Sequence, residues 1–551
     1  MLRTFVWLSL AWLIPSSLAA QSLALARQVA GQYIRDTPLD LVYGPPAYPD
    51  GMEVIQWPAA PGRAYALTYL PPATEAQRLL LYCQAPLRIW LDNDRAYART
   101  TARPQALRET AGGTFTYTDT VSLPPTPYTR RLLVEIEVGP YPARLAAHTA
   151  AMPLTTSPFA PELRSERWLC LGPLPVGSAI RPEQHLHKLY PGTQIAWMPP
   201  LRQPSLHLRT PDSGSPQDWH EAHSLALQGM MALAQATGDD SYAAYARQHL
   251  AFLFDHYDYF AGQYGAQHQL RGDYYRFFRG RDLAETAGAG LPLVMACAAG
   301  NCPPGWAAAI DRIAACLADS LPRRQDGTYC QHLPEPGSVC AEDLYRSVPF
   351  LLHLARMRRD KTSQEAAVQQ LLQMSAYLFD PEKKLYFHGW LGRQHLHSGV
   401  CWARSNGYAA WALIEALELL SPRDPRYHEL MGIYRSLMQA LAQHQDDSGR
   451  WRQVLDYSGA PLESGASAMF VMALARGVNR GWLPGRYKRY AAAGWDALAA
   501  QVSVGNRLQG VGPDLPVSVH LTDYLAPVGD GSSALGTGAF LLAAIEVAQL
   551  K

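Results

Sequence analysis

The stretch His388–Leu420, HGWLGRQHLHSGVCWARSNGYAAWALIEALELL, holds the plan of most of the chain. A loop rich in histidine and tryptophan runs through Trp402-Ala403-Arg404-Ser405-Asn406-Gly407-Tyr408 into a strongly apolar helix, which Ser421-Pro422 stops. Groups able to grip a charged, ring-shaped ligand therefore stand at the start of a rigid element. Small and polar residues also open an apolar helix at Glu221-Ala222-His223-Ser224, Glu285-Thr286-Ala287-Gly288, Glu342-Asp343, Glu463-Ser464-Gly465-Ala466 and Ser532-Ser533-Ala534-Leu535. Successive starts lie 58 to 70 residues apart, which fits one helix, a return helix and two loops. One return helix shows its apolar face in Leu430, Tyr434, Leu437 and Leu441. Six hairpins of this kind predict an all-α (α/α)6 barrel over residues 217–551, with the inner-helix N-termini at one rim. An open solenoid has the same period, but six units is the number that closes a toroid. Free N–H groups and the helix dipole make such a rim suited to an anionic ligand.

Upstream the texture differs. Residues 39–200 are rich in proline and in short β-like runs: Leu79–Tyr82, Leu87–Leu91, Thr114–Tyr117, Leu132–Val138, and one further strand at Trp168–Pro173. Their spacing predicts an antiparallel β-sandwich, and Pro199–Pro216 reads as a linker. The fold class expected is thus multidomain, an N-terminal antiparallel β-sandwich followed by the barrel. Residues 1–20 read as a secretory signal peptide: Arg3, an apolar run from Phe5 to Ile14, and a small-residue segment with cleavage after Ala19 or Ala20. That run is too short to span a bilayer and no transmembrane segment follows, so an exported protein is expected.

The 551 residues are 48% apolar and 17% charged, and 48 basic against 47 acidic residues leave a net charge of +1. Without a basic stripe or acidic tail, nucleic acid and anionic membranes are poor partners. Eight cysteines in an exported chain permit disulfides. Cys330 with Cys340 is the first expectation and Cys297 with Cys302 the second, with free buried thiols as the alternative. His395 and His397 have no nearby carboxylate to complete a metal site, and no zinc spacing occurs.

Five segments carry a family resemblance. Glu342-Asp343-Leu344-Tyr345-Arg346-Ser347-Val348-Pro349-Phe350-Leu351 resembles the Asp-Asp-Leu-Tyr-Met-x-x-Pro-Phe-Leu motif of glycoside hydrolase family 105, the unsaturated rhamnogalacturonyl hydrolases related to family 88. Trp402–Tyr408 is similar to that family's Trp-x-Arg-Gly-Asn-Gly-Trp. Gln445-Asp446 through Trp451, Glu463–Phe470 and Arg476–Gly481 resemble its C-terminal signature. The likeness covers roughly residues 217–510. It implies removal of a 4,5-unsaturated uronic acid from the non-reducing end of lyase-generated oligosaccharides: an acid protonates C4, water adds at C5, and the hemiketal collapses. One carboxylic acid that gives and takes protons suffices, where an ordinary glycosidase needs two flanking carboxylates. No cofactor is implied.

On this resemblance Asp343 is the general acid/base, against the alternative of a helix cap. Glu285 is the second carboxylate that would raise its pKa by repulsion, against a first-turn glutamate favoured by the dipole. Arg404 would grip the substrate carboxylate with a bidentate fork, against a structural ion pair. Trp402, His388, Trp390, Asn406, Tyr408 and Glu463 are candidate substrate contacts, with core filling or capping as their alternatives. Trp219, His220, Glu221 and His223 are further rim candidates. Ala284, Ser405 and Tyr408 depart from the family pattern. They motivate two rival readings: a sugar epimerase or conventional glycosidase on the same barrel, with His388 as acid/base in the epimerase, and a glycan-binding protein without catalysis.

Overall fold

The computed structural model describes residues 18–44, 54–103, 116–149, 168–177, 197, 205–209, 217–265, 272–300, 302–529 and 533–550. The expected signal peptide falls almost wholly outside these residues, as do most of the Pro199–Pro216 linker and part of the Thr114–Tyr117 strand. Within the linker, Ser205–Leu208 is a strand. The chain divides into two compact units: residues 41–207 with 258–275, and residues 1–40 with 208–257 and 276–551.

Among the described residues the first unit holds a short strand pair, Leu41–Gly44 with the strand that starts at Ser205, and two larger antiparallel sheets of nine strands: β1 (Val54–Trp57), β2 (Gly62–Leu70), β3 (Gln77–Cys83), β4 (Leu87–Leu91), β5 (Asp94–Arg99), β6 (Asp119–Leu123), β7 (Arg130–Val138), β8 (Ala143–Thr149) and β9 (Leu169–Leu174). One sheet has the order β9-β2-β7-β4-β5 and the other β1-β8-β3-β6. Alternation is clean in β6, where Asp119, Val121 and Leu123 are buried and their neighbours exposed. Inward residues of both sheets, among them Ala64, Leu81, Ile89, Val134, Ile136 and Leu145, form one core. Inside the unit Arg99 Nε donates to Asp119 Oδ1 at 2.9 Å, with both side chains almost fully buried.

The second unit is helical. Its elements are α1 (Leu18–Asp36), α2 (Glu221–Thr237), α3 (Asp240–Asp255), α4 (Ala289–Ala298), α5 (Pro304–Ala315), α6 (Glu342–Arg358), α7 (Lys361–Leu378), α8 (Ala403–Leu419), α9 (Tyr427–Gln443), α10 (Ser464–Asn479), α11 (Lys488–Ala499) and α12 (Ala534–Ala548). The even-numbered helices pack in sequence, α2 on α4, α4 on α6, α6 on α8, α8 on α10 and α10 on α12, and α12 returns to α2. Each carries an outer partner: α3, α5, α7, α9 and α11 for the first five, and α1 for α12. The inner helices are apolar all round because both faces are covered; nearly every residue of α8 and α12 is buried. Small residues let them approach. A Cβ at Gly538 on α12 would collide with the Leu225 carbonyl on α2. In α4, Pro292 cannot donate to the Gly288 carbonyl, and Ser224 Oγ on α2 donates to that oxygen instead at 3.0 Å.

Helix α1 has no counterpart in the sequence expectations. It is tied to the ring by a Tyr33 hydroxyl 2.7 Å from His223 Nδ1 and by Asp36, which accepts two bonds from Arg507. The disulfide expectation needs correction too. Cys297 and Cys302 are bonded, while Cys330 and Cys340 are both free. The antiparallel bridge Gln331–Ser338 sets Cys330 opposite Val339, one residue out of register with Cys340. No helix among the described residues is long and apolar enough to cross a membrane.

Candidate active site

Short rim strands prepare the start of α6. Val339–Cys340 (β10) pairs with Gly389–Leu391 (β11), which pairs with Leu396–His397 (β12). The Ala341 amide donates to the His388 carbonyl at 3.0 Å, so the backbone places His388 beside the first turn of α6. Its imidazole is fully buried. Nε2 lies 2.9 Å from Glu342 Oε1 and Nδ1 lies 2.6 Å from the Tyr524 hydroxyl. Burial alone would raise the Glu342 pKa, but His388 and Arg346 outweigh it and hold the carboxylate below its ordinary value. The other oxygen, Oε2, is buried with no hydrogen-bond partner among the described residues.

Asp343 is next along the helix and has no exposed surface. Gln331 Nε2 donates to Oδ2 at 2.7 Å and Arg346 Nη1 to Oδ1 at 3.2 Å. Burial pushes its pKa up to about 6; Arg346 and Gln331 oppose the rise and the Glu342 charge adds to it. A carboxyl group poised near 6 can both donate and accept a proton around neutrality. Arg346 also clamps Glu221 at the start of α2, Nε and Nη2 donating at 2.6 Å each, so one guanidinium bridges two inner helices.

Other candidates fall into distinct places. Glu285 lies in a π turn, Ala284–Gly288, where its carboxylate is held by Arg279 and by the Arg281 amide at 3.0 Å. The charges acting on Asp343 are Arg346 and Glu342. Arg404 is buried at the start of α8. Nη1 donates to Asp514 Oδ1 at 2.6 Å, Nη2 to Glu463 Oε1 at 3.2 Å and to the Gly512 carbonyl, and Nε is buried without a partner among the described residues. Glu463 caps α10, accepting from the Gly465 and Ala466 amides, and also takes the Gly512 amide. Arg404, Glu463 and Gln453 all converge on Gly512, where a Cβ would meet each of them. Trp402 links the two halves, its ring 4.6 Å from the His388 ring and under the Arg404 guanidinium at 5.3 Å.

Asn406 is occupied with backbone, bonding the Tyr386 amide and carbonyl and the Trp402 carbonyl. Tyr408 packs on Tyr345 at 5.3 Å. Trp390 is covered by Arg324 at 4.2 Å and packs on Tyr377. Trp219 donates to the Glu285 carbonyl, His220 caps α2, and His223 turns to Tyr33 and His249. His397 bonds the Tyr377 carbonyl and His395 lies edge-on to Trp390. Sequence reasoning missed Gln331, Tyr524 and Asp514 entirely, and gave Arg346 no role. For Arg346 a signal existed: a charged residue stands where the resembling motif has methionine, and a buried arginine requires a carboxylate.

The family model described as Glycosyl Hydrolase Family 88 matches residues 205–551. The unsaturated rhamnogalacturonyl hydrolase YesR of Bacillus subtilis is 30% identical over 190 residues, 34% of this chain and 54% of that protein. This chain thus spans about half the length of the curated relatives it matches. Crystal structures of possible family 105 members share the fold. The one from Klebsiella pneumoniae has a TM-score of 0.53 at 20% identity, covering 63% of this chain and 85% of that one. The one from Salmonella enterica has 0.52 at 21%, covering 61% and 86%. With residues 205–551 matched, more than half of its length, the chain belongs to glycosyl hydrolase family 88, in the company of family 105-like relatives.

Proposed function

We propose that the protein is an exported glycosidase whose helix ring is an (α/α)6 barrel, and that it removes a 4,5-unsaturated uronic acid from the non-reducing end of lyase-generated oligosaccharides. Asp343 protonates C4 of the enol ether and, once ionised, accepts a proton from the water that adds at C5. The hemiketal then opens and the sugar is released. Arg404 receives the substrate carboxylate, and Trp402 faces the ring. The observation that carries this reading is the buried Asp343 carboxyl, poised near 6 at the first turn of an inner helix. Rhamnogalacturonan fragments are the favoured substrates, in line with the name of the relative from Bacillus subtilis.

A second assignment of the proton-transfer group has its own support: Glu342 keeps a buried oxygen with no hydrogen-bond partner among the described residues, while both Asp343 oxygens are engaged. The experiment is loss of the enol-ether ultraviolet absorbance on a panel of lyase products, for wild type, Asp343→Asn and Glu342→Gln. Asp343→Asn is expected to lose about 10²–10⁴-fold in turnover. Full loss in Glu342→Gln with activity kept in Asp343→Asn would transfer the role to Glu342. Binding without any loss of absorbance in wild type would leave a glycan-binding protein.

A further inference from the structure

The buried or half-buried arginines Arg99, Arg279, Arg346, Arg404 and Arg476 each hold a carboxylate. Arg435, Arg486 and Arg489 are exposed and stand together. None has a carboxylate partner among the described residues, and all three line one cleft of about 780 Å³. It lies between the later half of α9 and the segment Gly481–Tyr490 that leads into α11, on the outer layer of the helix ring. No acidic residue lines it. Its remaining polar groups are uncharged, Gln439 among them, and Lys384 Nζ donates to Gln439 Oε1 at 3.0 Å, which brings a fourth cation to the edge.

The guanidinium groups are positioned without being neutralised. Arg435 uses Nε on the Trp482 carbonyl at 3.0 Å. Arg489 lies 4.6 Å from the Tyr490 ring centroid and bonds its hydroxyl, and Arg486 lies 5.3 Å from the ring of Tyr487. Three guanidinium groups bordering one cleft without a carboxylate attract an anion. Planar forks match carboxylates in bidentate fashion. The volume falls in the small-ligand range of about 300–1,000 Å³.

We infer that this cleft is a second, non-catalytic site for an acidic oligosaccharide, a chain of uronate rings that offers a carboxylate to each fork. The choice of a uronate chain rests on the proposed catalytic function; the anion specificity rests on the cleft alone. A net charge of +1 without a basic stripe argues against an extended nucleic acid. The site would hold the body of an acidic polymer by the outer layer of the ring while free ends are processed at the rim.

The test is titration calorimetry with saturated tetragalacturonate, which has no double bond to hydrate, on wild type and Arg435→Gln/Arg486→Gln/Arg489→Gln. Expected is binding to wild type that weakens with salt. In the triple variant it should fall roughly tenfold or more, with an unchanged circular dichroism spectrum and unchanged turnover of an unsaturated disaccharide. No binding to wild type, equal binding by the triple variant, or equal binding of neutral maltotetraose would overturn the inference. So would tighter binding of a single-stranded oligonucleotide at the same salt. Arginine-dependent binding in a protein that hydrates no enol ether would sink the catalytic reading and leave this site standing.

Discussion

Arg404 meets its two carboxylate partners on unequal terms. Glu463 is buried and fixed as the cap of α10, whereas the Asp514 side chain is 72% exposed although its oxygen lies 2.6 Å from Nη1. On the proposed function the substrate carboxylate competes with Asp514 for that nitrogen. An ion pair whose carboxylate lies in solvent, as Asp514 does, contributes about 0.2–1 kcal/mol. Removing it with Asp514→Asn should therefore lower KM by about 1.4- to 5-fold. Since the gain applies equally to substrate and transition state, kcat should stay constant. The assay is the absorbance time course at low ionic strength, repeated at about 1 M salt, where a Debye length of about 3 Å shrinks the difference. An unchanged or raised KM at low salt would refute the reasoning, because it would mean that Asp514 does not compete for the site or itself contacts the substrate.

Other expectations follow from the same geometry. Asp343 has a raised folded-state pKa, so its protonated form is favoured by folding; its cost to stability is absent below about pH 4, grows through about 6 and then levels off. Asp343→Asn should accordingly raise stability above pH 6, by on the order of 2 kcal/mol in urea titrations, while wild-type kcat/KM should fall as pH rises through about 6. Arg99→Met strands the buried Asp119 charge and should cost about 3–5 kcal/mol in the β unit, read by denaturant unfolding. Ser224→Ala orphans the carbonyl that Pro292 leaves free and should lower stability by about 1–3 kcal/mol. Peptide mapping without reductant should recover Cys297 linked to Cys302 and the buried Cys83, Cys330, Cys340 and Cys401 alkylated only after denaturation.

The inner helices were legible because each must open with small and polar residues at a shared rim and then run apolar on all faces, a pattern that survives without an alignment. Outer helices carry no such opening, and α1 also adjoins a segment that reads as a leader, so its place in the ring left no mark in the sequence. Side-chain pairing was less readable. Glu285 and Glu221 both start inner helices, and which of them shares a cation with Asp343 depends on Arg346 reaching across to α2. That reach needs room: at Gly288 a Cβ would crowd both Arg346 and Glu221. Cys330 and Cys340 failed as a pair through a one-residue offset in register, which loop length alone does not encode.

The packing of α1 as the outer partner of α12 has a consequence for synthesis. The two helices that must meet are separated by roughly 500 residues, so at about 5–20 residues per second the ribosome makes the second some 25–100 s after the first. Throughout that interval the buried side of α1, with Ala26, Val29, Ala30 and Tyr33, lacks α12 to cover it. The helical unit therefore cannot finish folding from its front end as it emerges. A cell that makes this protein has to shelter an early helix until the last one arrives.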